Sequence, residues 1–260
     1  MILLVVGIVF LVSGNSKKPP KSASGTTTTT VHGATTTTTV SSSADAKAQK
    51  AANAIAVKAG CPSSPATPVN TQRYTAAPAM TINPNELYSA TVVTTAGTFQ
   101  VSLYAKSAPN TVNNFVFLAD KGYYKCNTFF RVATNFVDQT GDPSGTGTGV
   151  PTGTAAGSLT PQPGYKFADE NLPKAYAAGD LAMANSGPNT NGSQFFIVAP
   201  GGAAGLASSY SLFGQVSSGI NVVDQINKEG NTEANNGIPP LVIERILSIT
   251  IHEAAAAVGS

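Results

Sequence analysis

The chain has 260 residues, of which only 11% are charged, a low share for a soluble domain, with 25 Gly, 17 Pro, two Cys, two His and no Trp. Its net charge of +2 hides a split: residues 1–80 hold seven Lys/Arg against one Asp (+6), and residues 81–260 hold eight against twelve Asp/Glu (−4). The acidic C-terminal part excludes a nucleic-acid binder, which concentrates positive charge on its folded face; two distant Cys exclude a disulfide-dense scaffold and a Cys-based zinc finger; and His32 and His252 leave no cluster for a metal.

Residues 1–13 are an uncharged apolar run, Met1 to Ser13. It is shorter than the ~20 residues of a spanning helix and lacks the basic stretch that opens a signal peptide. We read it as a membrane anchor or uncleaved signal segment; a start site assigned too far downstream explains both the shortness and the missing charges. Lys17, Lys18 and Lys21 follow it and favour the opposite orientation. The domain is expected outside the cell, anchored or secreted, with a cytoplasmic product as the alternative. Residues 14–84 read as a linker. Its Ser/Thr/Pro-rich part includes Thr26–Thr30 and Thr35–Thr39, has too little apolar area to offset chain entropy, and is expected to be disordered, like glycosylated stalks. Residues 44–59 are helix formers ended by Gly60 and Pro62.

The folded domain is placed at 85–254, with 255–260 as a tail. Glu86–Thr95 and Thr98–Tyr104 flank Ala96-Gly97 as a hairpin, with Phe99, Val101 and Leu103 inward. Pro109 opens a helix whose Val112, Phe115, Val116 and Ala119 share one face. Short strands are predicted at 128–132, 136–139, 180–184, 194–198 and 211–216, then a helix at 220–228 and a last strand at 241–251. Many short strands with two helices predict a β-barrel capped by helices. The Gly-rich run 141–157 has no strand–Gly–helix context, which argues against a phosphate loop.

Two segments carry a family resemblance. Phe129-Phe130-Arg131-Val132-Ala133-Thr134-Asn135-Phe136-Val137-Asp138-Gln139-Thr140-Gly141-Asp142 is similar to the cyclophilin Phe-His-Arg…Phe-x-x-Gln-Gly-Gly-Asp segment. Leu181 through Ile197, containing Asn185-Ser186-Gly187-Pro188-Asn189-Thr190-Asn191-Gly192-Ser193-Gln194-Phe195-Phe196, resembles the second cyclophilin signature almost without change. Tyr165–Asn171 and Leu212–Val216 match in order and spacing, so the resemblance spans 85–254. It implies a peptidyl-prolyl cis–trans isomerase, read here as a bacterial, membrane-tethered member. It also implies a mainly β fold, an eight-stranded antiparallel barrel capped by two α-helices.

Rotation about a peptide bond meets a barrier of ~18–20 kcal/mol from amide resonance, so X–Pro exchange takes tens of seconds or more. No covalent bond breaks, so a catalyst needs no nucleophile, cofactor or metal. It needs a donor for the deconjugated proline nitrogen and an apolar slot for the ring. By resemblance Arg131 is that donor, since a guanidinium stays charged and offers N–H groups in fixed geometry. Gln139 orients it and contacts substrate. Phe136, Val137, Phe196 and Leu206 wall the pocket, with Tyr210 at its edge. Gln194 and Asn185 contact the substrate backbone, Asn185 through its main chain, and Ala184 floors the neighbouring subsite. Strand alternation sends Phe195 and Phe196 to opposite faces, leaving Phe129, Phe195 and Phe213 as core. Proline-containing polypeptides are the expected partners, and the chain is read as a monomer.

The sequence departs from the family pattern in several places. Phe130 replaces the usual His, Thr140 a Gly, Ala133-Thr134-Asn135 an Ile-Pro-Gly, and Val137 the common Met. Tyr210 stands where many members carry a His, and Gly205 where many carry the Trp that grips cyclosporin, which implies weak cyclosporin affinity. The Ala/Gly-rich stretch 199–205 is expected to form a flexible loop and a looser pocket. Cys61 and Cys126 form either one disulfide, suited to an oxidising exterior, or two free thiols. The rival function is a non-enzymatic proline-peptide-binding chaperone module; a purely structural envelope protein is a third reading.

Overall fold

The computed structural model describes residues 26–31, 34–39, 42–147 and 164–255. The apolar run 1–13, most of the Gly-rich run and the tail beyond Ala255 lie outside the described residues. Two units emerge, residues 1–42 and 43–260. In the first, β1 (Thr26–Val31) and β2 (Ala34–Thr39) pair antiparallel, from Thr26 opposite Thr39 to Val31 opposite Ala34. The Thr blocks expected in a disordered linker thus form a hairpin. Runs of β-branched residues such as Thr are common in strands.

The second unit begins at Ser43, not at residue 85. Helix α1 (Ser43–Lys58) carries almost no large apolar side chain, which made it read as part of a linker. It docks through small residues and amides instead. Ala52 and Ala56 are buried. One turn apart, Gln49 accepts from the Ile243 amide at 2.7 Å and Asn53 accepts from Arg245 Nη2 at 2.8 Å. Arg245 is 1% exposed, and its Nη1 donates to Pro62 O at 2.5 Å. Cys61 and Cys126 are joined as a disulfide across 65 residues of chain. Further along, the Val69 amide donates to Pro143 O at 3.0 Å, and Asn113 Oδ1 accepts from the Thr81 amide at 2.9 Å. Residues 43–84 are therefore a strap bound along its length. Among the described residues no helix is long and apolar enough to cross a membrane.

The main sheet has eight antiparallel strands: β3 (Leu87–Thr94), β4 (Thr98–Leu103), β5 (Arg131–Ala133), β6 (Val137–Thr140), β7 (Asp180–Met183), β8 (Phe195–Val198), β9 (Leu212–Ser218) and β10 (Ile246–Ala254). Their order is β10-β3-β4-β9-β7-β8-β6-β5. The sheet curls so that residues before its two edge strands meet: Thr128 bridges Arg245, and the Cys126 and Phe129 amides donate to Ile246 O and Glu244 O at 2.7 and 2.9 Å. The last strand begins at Ile246 rather than 241, because the backbone of 241–245 is spent on this closure and on Glu229 O.

Helix α2 (Pro109–Asp120) buries the predicted apolar face. No local residue caps it; the Glu170 carboxylate accepts from the Asn110 and Thr111 amides at 3.2 and 2.8 Å, placing negative charge at the helix's positive end. Helix α3 (Ile220–Lys228) turns Val223 and Ile226 inward. Among the described residues the unit has three α-helices: the two predicted for the folded domain and α1, which the sequence placed at 44–59 in the linker. In the core, Phe115 packs on Phe195 and Phe213 with ring centroids 5.6 and 5.3 Å apart, and Phe129 is buried with them. On β8 all four side chains are buried. Phe195 and Ile197 enter this core, while Phe196 and Val198 belong to a second apolar cluster. That second cluster is where the site lies.

Candidate active site

Antiparallel register builds the site. Arg131 of β5 lies opposite Gln139 of β6, and Gln139 lies opposite Phe196 of β8. Residues at paired positions project to the same face, so one guanidinium, one amide and one aromatic ring share a patch. Arg131 Nη1 donates to Gln139 Oε1 at 3.2 Å, and Gln139 Nε2 donates to Gln194 Oε1 at 3.0 Å. Gln194 Nε2 reaches Gly147 O at 3.4 Å. Arg131 Nε is held from behind by Asn236 O at 3.1 Å. All of Arg131's acceptors are uncharged, and among the described residues no carboxylate pairs with it. Burial pushes its pKa down from the guanidinium range while the nearby Tyr210 side chain opposes the shift; the usual value is so high that the group remains cationic.

The apolar half of the site adjoins this row. Val137 and Phe196 are buried, with Phe136, Ala184, Leu206 and Tyr210 partly buried against them. The Arg131 guanidinium lies 5.9 Å from the Phe136 ring centroid, within cation–π range. Tyr210 meets Phe196 edge to face at 5.2 Å. Arg131, Phe136, Val137, Gln139, Gln194, Phe196, Leu206, Tyr210 and Ala184 thus come together. Asn185 stands at the margin. Its Nδ2 donates to Ser209 O at 2.9 Å and its Oδ1 accepts from the Gly187 amide at 3.2 Å, so its side chain is spent on the turn. The Ala184 amide donates to Gln194 O at 2.9 Å.

The 199–205 loop is not the loose element expected from its composition. The Ala199 amide donates to Phe136 O at 3.0 Å, and a Cβ on Gly202 would lie 2.1 Å from that same oxygen. Gly202 is glycine because the loop backbone rests on the Phe136 turn. Gly205 is different: it has φ +85° and open space around it.

Three contributors escaped the sequence. Tyr176, buried in the second cluster, donates to Tyr210 O at 2.7 Å and accepts from the Tyr210 amide at 3.0 Å. It sits in an irregular segment with no periodicity to mark it. Ala182 and Val198 extend the apolar floor; the alternation Leu181/Ala182/Met183 and Phe195 through Val198 carried that signal.

Residues 89–249 match the family described as "Cyclophilin type peptidyl-prolyl cis-trans isomerase/CLD". The peptidyl-prolyl cis-trans isomerase-like 1 of Emericella nidulans is 43% identical over 166 residues, 63% of this chain and 94% of that one. The Mus musculus protein of that name is 41% identical over 157 residues, 59% of this chain and 86% of that one. A crystal structure of a cyclophilin-type peptidyl-prolyl cis-trans isomerase from Cryptosporidium parvum has a TM-score of 0.53 and 31% identity, covering 64% of this chain and 98% of its own. A second structure of that protein, in the presence of the dipeptide Ala-Pro, gives the same TM-score and identity over 63% of this chain and 98% of its own. The chain belongs to the cyclophilin-type peptidyl-prolyl cis–trans isomerases. Its reaction is the interconversion of cis and trans X–Pro bonds.

Proposed function

We propose that Arg131 is the catalytic donor of this isomerase, with Gln139 holding it and Phe136, Val137, Phe196, Leu206 and Tyr210 gripping the proline ring. One observation carries the reading: an unpaired cation, braced by two neutral acceptors, borders an apolar cluster on the same face of the sheet. As the amide twists, its nitrogen becomes pyramidal and gains a lone pair, and an N–H donor binds that state better than the planar ground state. An interaction that strengthens only at the transition state raises the rate. Pre-bracing by Gln139 and Asn236 O removes much of the orientation cost. Gln194 and the main chain near Asn185 hold the residues before proline. A structure of the Cryptosporidium relative obtained in the presence of the dipeptide Ala-Pro supports proline peptides as ligands.

A protease-coupled prolyl-peptide assay on the full chain tests this. Arg131→Ala is expected to lower kcat/KM about 10²–10³-fold, the loss typical of one transition-state donor. Equal rates for the two proteins remove Arg131 from the mechanism. Peptide binding without turnover in the wild type supports the chaperone-module alternative.

For location, the Cys61–Cys126 disulfide supports an oxidising compartment. With the apolar head and Thr-rich stretch it favours an exported, membrane-tethered enzyme acting on exported chains. Fractionation of cells expressing the full chain tests this, and recovery in the cytosolic fraction with both thiols reduced overturns it.

A further inference from the structure

The turn between β5 and β6 carries Phe136; the 199–205 loop rests on one side of it, and a side chain from α3 ties it from another. The Asn135 amide donates to Asn227 Oδ1 at 2.7 Å. Asn227 Nδ2 donates to Ala133 O at 3.1 Å and to Asp138 Oδ1 at 2.7 Å. Asn135 has φ +56°, a left-handed conformation that Asn tolerates better than other non-glycine residues, and the Asn227 amide ties both ends of this turn together. One residue later Phe136 enters the proline pocket.

Asp138 sits beneath this turn. Its neighbours Val137 and Gln139 face the site, so by alternation its carboxyl faces the barrel side. It is 0% exposed, and its Oδ2 is buried with no hydrogen-bond partner. Its strand partners, Val132 on β5 and Ile197 on β8, are apolar. From α3 and its end it feels Asp224 and Glu229, both acidic; Lys228 is committed to Asp224 at 2.6 Å. Among the described residues no cation answers the carboxyl. Burial foremost, with Asp224 and Glu229 adding to it and the Asn227 hydrogen bond opposing, pushes its pKa up to about 8.

We propose that Asn227 and Asp138 are a positioning pair for the proline pocket, and that the pair keeps the Phe136 turn in place only while the Asp138 carboxyl is uncharged. The neutral carboxyl offers Asn227 an acceptor and places no charge in the barrel. Ionisation leaves an anion with one hydrogen bond in an apolar setting, and the turn must open to hydrate it. The inference rests on the reading of Phe136 as a pocket wall.

Two measurements on the full chain test it: kcat/KM across pH 6–9.5, and the amide NMR shifts of Asn135 and Phe136 over the same range. A carboxyl titrating near pH 8 is expected to reduce wild-type kcat/KM about tenfold between pH 7 and pH 9. Asp138→Asn keeps an acceptor at Oδ1 and carries no titratable group; its profile is expected to lose that fall, and its Asn135 amide to stop titrating. Asn227→Ala is expected to raise KM more than it lowers kcat at pH 7. An active wild type with a flat profile, or Asp138→Asn with the fall intact, overturns the inference and leaves the proposed site standing. Amide titration in a chain with no prolyl activity, abolished by Asp138→Asn, keeps the pair and overturns the reading of the site.

Discussion

Gly202→Ala isolates the contact between the 199–205 loop and the Phe136 turn. The new Cβ would meet Phe136 O at 2.1 Å, Phe136 C at 2.7 Å and Phe136 Cα at 2.8 Å. Ordinary contact begins near 3.4 Å, so backbone must move by about 1.3 Å, and no flexible side chain can absorb the shift. The Phe136 turn cannot give way without moving one pocket wall; if the loop lifts instead, Ala203 and Leu206 move on the other. Either displacement widens the slot. A misplacement of about 1 Å commonly costs ~10²-fold in rate, so kcat/KM in the prolyl-peptide assay is expected to fall about 10–100-fold. Overpacking is expected to cost a further ~1–3 kcal/mol of stability, visible as a lower midpoint in urea. Gly122→Ala is the control. Unlike Gly202, Gly122 lies in a left-handed conformation, at φ +65°, but has no neighbour within 4 Å; the substitution is expected to lose ~1–2 kcal/mol from backbone strain without a change in rate. A Gly202→Ala protein with wild-type kcat/KM refutes the claim that this contact sets the pocket.

The disulfide predicts a non-reduced mass two hydrogens below that of the dithiol, and Cys61→Ser with Cys126→Ser is expected to lower stability by up to ~4 kcal/mol for a loop this long; an unchanged urea midpoint contradicts it. Asp138 predicts a sign for stability against pH. The folded carboxyl keeps its proton to about pH 8, whereas in the unfolded chain it releases it near ~4. The unfolded state therefore binds fewer protons between those values, so this group's contribution makes stability fall as pH rises through that window and level off above it. Asp138→Asn is expected to lack that slope in melting temperature, and a slope equal to wild type contradicts the assignment. Cyclosporin is expected to inhibit weakly, because Gly205 places no side chain over the ligand face; inhibition matching Trp-bearing members refutes this.

How far the sequence was legible depended on where large side chains carry the information. Strand alternation placed Phe99, Val101 and Leu103 inward and separated Phe195 from Phe196, as the two apolar clusters show. Arg131, Gln139 and Phe196 came together only through the family resemblance, and the antiparallel register places them on one face. The sequence pattern missed whatever rests on small or polar groups. Helix α1 docks through alanines and through Gln49 and Asn53, which read as solvent-facing. Asn227 falls in a helix with a plain amphipathic pattern, and nothing in that pattern shows its amide spent on a turn 92 residues earlier. The Gly/Ala composition of 199–205 suggested slack where the glycine at 202 in fact marks close backbone packing.

The strap of residues 43–84 changes what counts as the minimal enzyme. The family match begins at residue 89, and a truncation drawn there would cut Arg245 from both Asn53 and Pro62 O. It would also strand Cys126 without its mate and uncover the apolar patch around Leu247. A shortened protein that aggregates would then report an amputated buttress and say nothing about catalysis. Transplanting this curled sheet into another chain means carrying its girdle, residues 43–84, along.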